Sequence, residues 1–394
     1  MFRRRGAGAA IAILTIPAFL VVGPVVASAF ASASASAGTD AANAAARRRL
    51  VAALEADRAA NPDIPGEVVA VRAPGLDVTV ASGLADVAAG ATLGPDTPFR
   101  AASVTKTFVA AAVLRLVERH ELRLDDPIAK LVSRRSARIL RADGYRPDRI
   151  TVRQLLQHTS GLFDYAASDA YDAMNTTDPG HHWTRDEQLR FATAHGDPLA
   201  APGTEYHYAD TGYVLLGEIL ERTTGDPLPA AVRSLIGFRR LGLDHTYWEA
   251  LEPTPADAKA RAHQYYDRTY DNIGLDASSD LYGGGGLVST VSDLTRFYRA
   301  LFHGRIFRDS KTLDTMTHVS KPGRAAGAGM GIFAVAVDGE RCFGHPGYWG
   351  TESIHCPRLD LTFTRTTNQA DDTDFDSAPL ESVVADLARR ARRS

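Results

Sequence analysis

The 394-residue chain lacks the marks of several protein classes. It has only two cysteines, Cys342 and Cys356. Two cysteines without a matching histidine pattern make neither a zinc site nor a disulfide scaffold. His181, His182, His195 and His207 show no His-Glu-x-x-His spacing, so no metal is expected. No Gly-x-Ser-x-Gly elbow occurs, which excludes the α/β-hydrolase motif. Gly283–Gly286 lacks the Gly-Lys-Ser/Thr of a phosphate loop, and Gly327, Gly329 and Gly331 miss the dinucleotide-binding spacing; no organic cofactor is implied. Neither sign of charge dominates: 44 Lys and Arg stand against 47 Asp and Glu, a net −3. That balance gives no global attraction to nucleic acid. No internal repeat is visible, and no long apolar run follows residue 29. With 45% hydrophobic and 23% charged residues, the composition excludes a disordered chain, a coiled coil, a collagen-like fibre and a polytopic membrane protein. The length suits two domains or one large two-lobed domain.

What is present begins at the N-terminus. Arg3, Arg4 and Arg5 precede an apolar run from Ala7 to Ala29 that ends in Ala27-Ser28-Ala29, and small residues continue through Ala37. This is the layout of a secretory signal. The alternative is an uncleaved anchor, since the run is long enough to span a bilayer; Pro17 and Pro24 weaken it. Residues 1–37 are therefore expected to be a signal peptide and small-residue linker, and the protein to be exported with no stable membrane anchor. In an exported chain two cysteines can pair. Cys342 and Cys356 flank a hairpin turn expected near Trp349, so a cross-strand disulfide is expected; two separate buried thiols are the alternative. Arg389, Arg390, Arg392 and Arg393 read as the solvated end of a helix rather than a membrane contact.

Hydrophobic periodicity orders the rest. Helical patterns cover Ala41 to Ala59, Ser103 to Arg119, Val152 to Gln157, Arg185 to Thr193, Val214 to Arg222, Val288 to Phe302 (capped by Thr290 or Ser292) and Ser377 to Arg392. Strand patterns cover Val68 to Val71 and Val78 to Val80, with Pro74-Gly75 between them as a hairpin turn. They return at Gly331 to Val337, Cys342 to Tyr348, Ser353 to Cys356 and Leu361 to Arg365. The simplest packing is an α+β fold: a mostly antiparallel sheet, made from both chain ends and flanked by helices, plus an all-helical lobe. The sheet lobe is expected over about 38–124 and 286–394, the helical lobe over about 125–285, and a ligand cleft between them.

Ser103-Val104-Thr105-Lys106 is the only Ser-x-x-Lys in the chain. On a helix, residues i and i+3 share a face, so the amine can approach the hydroxyl. A serine needs such a base to become a nucleophile, and a helix N-terminus can stabilise an oxyanion. Further motifs follow in order: Leu155-Leu156-Gln157-His158-Thr159-Ser160-Gly161-Leu162, then Tyr206-His207-Tyr208-Ala209-Asp210, then Gly283–Gly286, then His345-Pro346-Gly347 on a strand. Together they resemble the penicillin-recognising serine hydrolases: class C β-lactamases, D-alanyl-D-alanine carboxypeptidases, and their esterase and D-aminopeptidase relatives. The resemblance runs from about Pro65 to Gln369. It implies that Ser103 is the acylated nucleophile, Lys106 its base and Tyr208 a proton relay. It also implies an oxyanion hole from the backbone N–H groups of Ser103 and Tyr348, and substrate contacts from Asp210, His345 and Gly347.

Three departures from the family pattern bear on specificity. Asp210 stands where the family usually has Asn; an ionised carboxylate accepts hydrogen bonds but donates none. It also favours the charged form of Lys106, either as a salt bridge or, if it is protonated, less so. His345 replaces the usual Lys of the third motif and would be only partly charged near neutral pH. Pro346 and Tyr348 occupy positions where relatives that grip a substrate carboxylate often carry hydroxyls. The expectation is an exported serine hydrolase acting on a small-molecule or peptide amide or ester, carboxypeptidase-like or esterase-like. The alternatives are a non-hydrolytic penicillin- or peptide-binding protein and a true β-lactamase.

Overall fold

The computed structural model describes residues 25–267, 270–370 and 378–393, with side chains from residue 40 onward except at 267. The first 24 residues of the expected leader lie outside the described residues. The chain runs α1 (Val25–Ala60), β1 (Gly66–Ala73), β2 (Leu76–Asp86), β3 (Ala91–Thr92), β4 (Phe99–Arg100), α2 (Thr105–Glu118), α3 (Arg134–Ala142), α4 (Val152–Leu156), α5 (Asp169–Thr177), α6 (Arg185–His195), α7 (Asp210–Thr224), α8 (Leu228–Ile236) and α9 (Phe238–Leu241). It continues through β5 (Tyr247–Trp248), β6 (Tyr265–Asp267), β7 (Tyr270–Asp271), β8 (Leu287–Ser289), α10 (Val291–Phe302), α11 (Ser310–Thr317), β9 (Phe333–Val337), β10 (Glu340–Gly347), β11 (Thr351–Cys356), β12 (Leu361–Thr366) and α12 (Ala378–Ala391). Residues 1–41 and 42–394 are separate units; everything below concerns the second. Among the described residues no helix is long and apolar enough to cross a membrane.

The main sheet has seven antiparallel strands in the order β3-β2-β1-β12-β11-β10-β9. Strands from the two ends of the chain meet where β1 pairs with β12. β1 reads as an unbroken apolar run because both of its faces are covered. Val69 and Val71 join Leu50, Leu54, Leu380 and Val384 in a core under α1 and α12. Val68 and Ala70 point the other way and join Phe108, Val109 and Phe297 in the larger core with α2 and α10. Between β1 and β2, Ala73 faces Leu76 across the two-residue turn Pro74-Gly75, whose glycine takes φ 72°. Cys342 and Cys356, direct partners on β10 and β11, form a disulfide.

The sequence pattern marks a single apolar stripe on α2, yet the helix is buried on every side from Thr105 to Leu116. It lies between the sheet and the helical lobe, where Ala110, Ala111 and Ala112 let neighbouring elements close on it. Two expectations need correction. The segment expected as one helix from Val288 is a strand, β8, followed by α10, whose Thr290 cap accepts a hydrogen bond from the Asp293 N–H at 3.2 Å. β8 pairs with β4 on one side and β5 on the other, and these ladders outweigh the local helical pattern. The stretch 125–285 is mostly helical, but it also carries β5, β6 and β7.

Candidate active site

Ser103 sits in a short 3₁₀ turn, Ala102–Val104, that runs directly into α2. Ala102 takes φ 45°, a left-handed conformation that costs a side-chain-bearing residue about 1–2 kcal/mol and that the surrounding packing must hold in place. Three residues on, Lys106 is fully buried, and its Nζ donates to Ser103 Oγ at 2.8 Å. The same Nζ donates to the Gly284 carbonyl at 2.8 Å and pairs with the Asp210 carboxylate. Three acceptors match the three protons of an ammonium group. The salt-bridge form expected for Asp210 is therefore the one observed.

Tyr208 completes the group. Its hydroxyl faces the Ser103 side chain, and its ring centroid lies 5.0 Å from Lys106 Nζ. Burial, with the Asp210 charge adding to it, pushes the phenol well above its ordinary value, so Tyr208 keeps its proton. A neighbour that sequence reasoning did not single out holds it in place. His158, at φ 54°, stacks on Tyr208 with ring centroids 4.3 Å apart, accepts from the Ala209 N–H at 3.1 Å and, through its carbonyl, from the His207 N–H at 2.9 Å. Burial and the Lys106 charge keep its imidazole neutral.

Two further carboxyls were also not singled out. Asp164 Oδ1 accepts from the N–H groups of Asp210 (3.0 Å) and Ala166 (3.1 Å), so it fixes the start of α7. Asp280 lies against the glycine quartet: a Cβ on Gly285 would fall 1.7 Å from its Oδ2. A Cβ on Gly284 would stand 2.9 Å from Asp210 Oδ1 and 3.1 Å from Asp280 Oδ1. Gly284 and Gly285 are glycine because these carboxyl groups fill the space a side chain would need, whereas Gly283 and Gly286 take φ 128° and 95° and a Cβ on them would meet the carbonyl oxygens of Tyr213 and Leu281 at 2.4 and 2.9 Å. That quartet was the available signal for Asp280. Burial first, then the charge of Asp210, pushes Asp164 up to about 7 and Asp280 up to about 8.

The third motif is placed differently from expectation. His345 is 1% exposed and does not line the cavity beside Ser103. Its Nδ1 donates to the Pro346 carbonyl at 2.5 Å, and its Nε2 carries no hydrogen bond. Burial and the nearby Lys106 push it down to about 3, so it is an uncharged imidazole rather than a partly charged substrate contact. Gly347 is also buried away from the cavity lining. Its part is steric: a Cβ there would meet the Ala101 carbonyl oxygen at 2.5 Å. This close approach brings the end of β10 against the Ser103 turn, and Tyr348, the next residue, lines the same cavity as Ser103. That cavity has a volume of about 420 Å³. Among the described residues no group of three or more His, Cys, Asp or Glu is arranged to hold a metal ion.

Known proteins are similar to this chain along most of its length. The family model described as Beta-lactamase matches residues 51–386. Esterase EstB of Burkholderia gladioli is 33% identical over 306 residues, covering 69% of this chain and 75% of its own. The solved D-stereospecific amidohydrolase from Streptomyces sp. superposes with a TM-score of 0.70 at 28% identity, covering 84% of this chain and 98% of its own. The D-amino acid amidase from Ochrobactrum anthropi SV3, solved with D-phenylalanine, gives 0.68 at 27% identity, covering 88% and 99%.

Proposed function

We propose, from the premise that the chain belongs to the beta-lactamase family of serine hydrolases, that it is exported and cleaves a small amide or ester through an acyl-enzyme on Ser103. The observation that carries the reading is Ser103 Oγ held 2.8 Å from Lys106 Nζ, with Tyr208 beside Ser103 at the wall of the same open cavity. The disulfide and the leader-like N-terminus support export.

The mechanism follows from who holds the protons. Lys106 has all three N–H groups engaged, so it accepts the Ser103 proton only after passing one of its own to Asp210. Ser103 Oγ then bonds to the substrate carbonyl carbon, and the carbonyl oxygen takes the negative charge beside the backbone N–H groups of Ser103 and Tyr348. The bond to the leaving group breaks as that group takes a proton through Tyr208. Water repeats the sequence on the acyl-enzyme: it gives its proton to the relay, releases the acid and restores the Ser103 hydroxyl.

The test is intact-mass spectrometry of protein recovered from the culture medium, wild type and Ser103→Ala, with a 4-nitrophenyl ester, a D-Ala-D-Ala peptide and a penicillin. A wild-type adduct or turnover that Ser103→Ala abolishes, on a chain shortened near residues 29–37, is the expected result. Stable acylation without turnover would move the assignment to a binding protein, and no adduct with any of the three would overturn it.

A further inference from the structure

The chain is slightly acidic as a whole, yet one short stretch reverses the sign. Between Lys130 and Arg149 the sequence carries seven Lys and Arg against two Asp and no Glu. The stretch is α3 with the turns on either side of it. Ala137, Ile139 and Leu140 bury the inner face of α3, while Arg134, Arg135, Arg138 and Arg141 are exposed. Two of the seven cations are matched: Arg135 pairs with Asp186, and Arg146 with Asp148 at 3.2 Å. Arg141 adds to Arg146 in holding Asp148 below the usual carboxylate range, so both arginines stand about the same acid. Asp143 is half-buried at the end of α3. Glu218 approaches from beneath; it is buried, and its Oε1 accepts from the Ser133 N–H at 3.0 Å. Among the described residues no carboxylate is within ion-pair distance of Arg134, Arg138 or Arg141.

Local electrostatics oppose this arrangement. A helix N-terminus favours anions, yet the first turn of α3 holds Arg134 and Arg135 and no acid. Like charges four residues apart repel, and Arg134 and Arg138 stand so, with Arg138 Nε donating to the Arg134 carbonyl at 3.3 Å. Arg134, Arg138 and Arg141 follow the i, i+4, i+7 spacing of one helix face, a row about 10 Å long. Arg222 joins them from a distant segment: it is exposed near the end of α7, and its Nε donates to the Leu131 carbonyl at 2.8 Å. A face that serves solubility alone is satisfied by mixed signs. A row of one sign, unmatched, is complementary to a partner that carries several negative charges.

The row suits a linear polymer better than a lipid surface. Stable attachment to a bilayer takes an apolar insertion as well as cations. The apolar face of α3 is buried, and the exposed large apolar residues, Val87, Met174, Leu199, Leu251, Ile273 and Tyr348, lie outside this stretch. A flexible chain of phosphates can lie along the row and offer an oxygen pair to each guanidinium. We propose that Arg134, Arg138 and Arg141 dock a linear phosphate-bearing polymer and so hold the protein on an anionic matrix. None of the three lines the cavity beside Ser103, so docking leaves that cavity open. The proposal is independent of the acyl-enzyme reading.

The experiment is binding of the full-length secreted protein to long-chain inorganic polyphosphate across a salt series. The wild type is expected to bind, and to lose affinity linearly in log–log form as salt rises. The triple variant Arg134→Gln, Arg138→Gln, Arg141→Gln is expected to bind about tenfold or more weakly at low salt, with a salt slope shallower by about two, since each lost phosphate contact removes about 0.7. Its melting temperature is expected to equal or exceed that of the wild type, because like-charge repulsion is relieved. The single variant Arg138→Gln, with a slope shallower by about 0.7, keeps the test open if the triple variant does not fold. A control triple on exposed cations of α11 and the loop after it, Lys311→Gln, Lys321→Gln, Arg324→Gln, is expected to keep wild-type affinity. No salt-sensitive binding by the wild type, or equal weakening in the two triple variants, would overturn the proposal. Binding to phosphatidylglycerol vesicles without binding to polyphosphate would also overturn it and point to a membrane instead.

Discussion

At the scale of single residues, the group that sets this site apart is Asp210. An Asn there could donate to a substrate; the carboxylate instead pairs with Lys106. Asp210→Asn removes the ion pair that holds Lys106 Nζ beside Ser103 and is expected to lower kcat/KM on a neutral ester by about tenfold or more. Steady-state kinetics of the variant and wild type measure this. An unchanged kcat/KM would mean that Asp210 does not position Lys106. His345 has no such leverage, since burial keeps its imidazole neutral near neutral pH.

At the scale of elements, the joint between β1 and β12 carries a buried carboxyl group. Glu67 is 0% exposed, and its nearest cation, Arg365, lies 3.9 Å away and is more closely engaged with Glu352 at 2.6 Å. Burial, only partly offset by Arg365, raises Glu67 from 4.5 to about 8. A raised folded-state value means that this group favours folding fully below its unfolded value and loses that contribution as pH rises from about 4.5 to 8. Glu67→Gln removes the loss. It is expected to stabilise the protein at pH 8, by as much as about 1.4 kcal/mol for each pH unit crossed, and to make little difference near pH 4.5. Thermal melts of the two proteins across that window check it; destabilisation at pH 8 would show that the pair with Arg365 outweighs the cost of burial.

At the scale of the whole molecule, the sheet closes only when the two ends of the chain meet, and its outer face needs a helix from each end. α12 supplies Leu380, Val384, Ala385 and Ala388 to that core, opposite Leu50 and Leu54 of α1. Deleting residues 378–394 exposes an apolar sheet face. The truncated chain is expected to lose its cooperative thermal transition and to elute as aggregate; a monomer with wild-type melting would refute that account. The same closure lets Ser103, from the first third of the chain, meet Tyr208, Gly286 and Tyr348 in one cavity.

Much of this was legible from residues in order. The i, i+3 spacing of Ser103 and Lys106 puts both on one helix face whatever surrounds them, and the apolar run of β1 and the turn at Pro74-Gly75 are local signals that local physics obeys, as is one of the two caps offered for α10, Thr290. The reading failed where partners are distant in sequence. Val288 joined a strand because β4 and β5 lie on either side of it. His345 lost its expected charge because packing removed it from water. Asp164, His158 and Asp280 took up their positions because folding brought them beside Lys106 and Tyr208. The sequence by itself determined which groups can do the chemistry, since spacing along a helix or strand is intrinsic. Only the tertiary structure decided their charge and reach, since burial and neighbouring charges exist only once distant segments have packed.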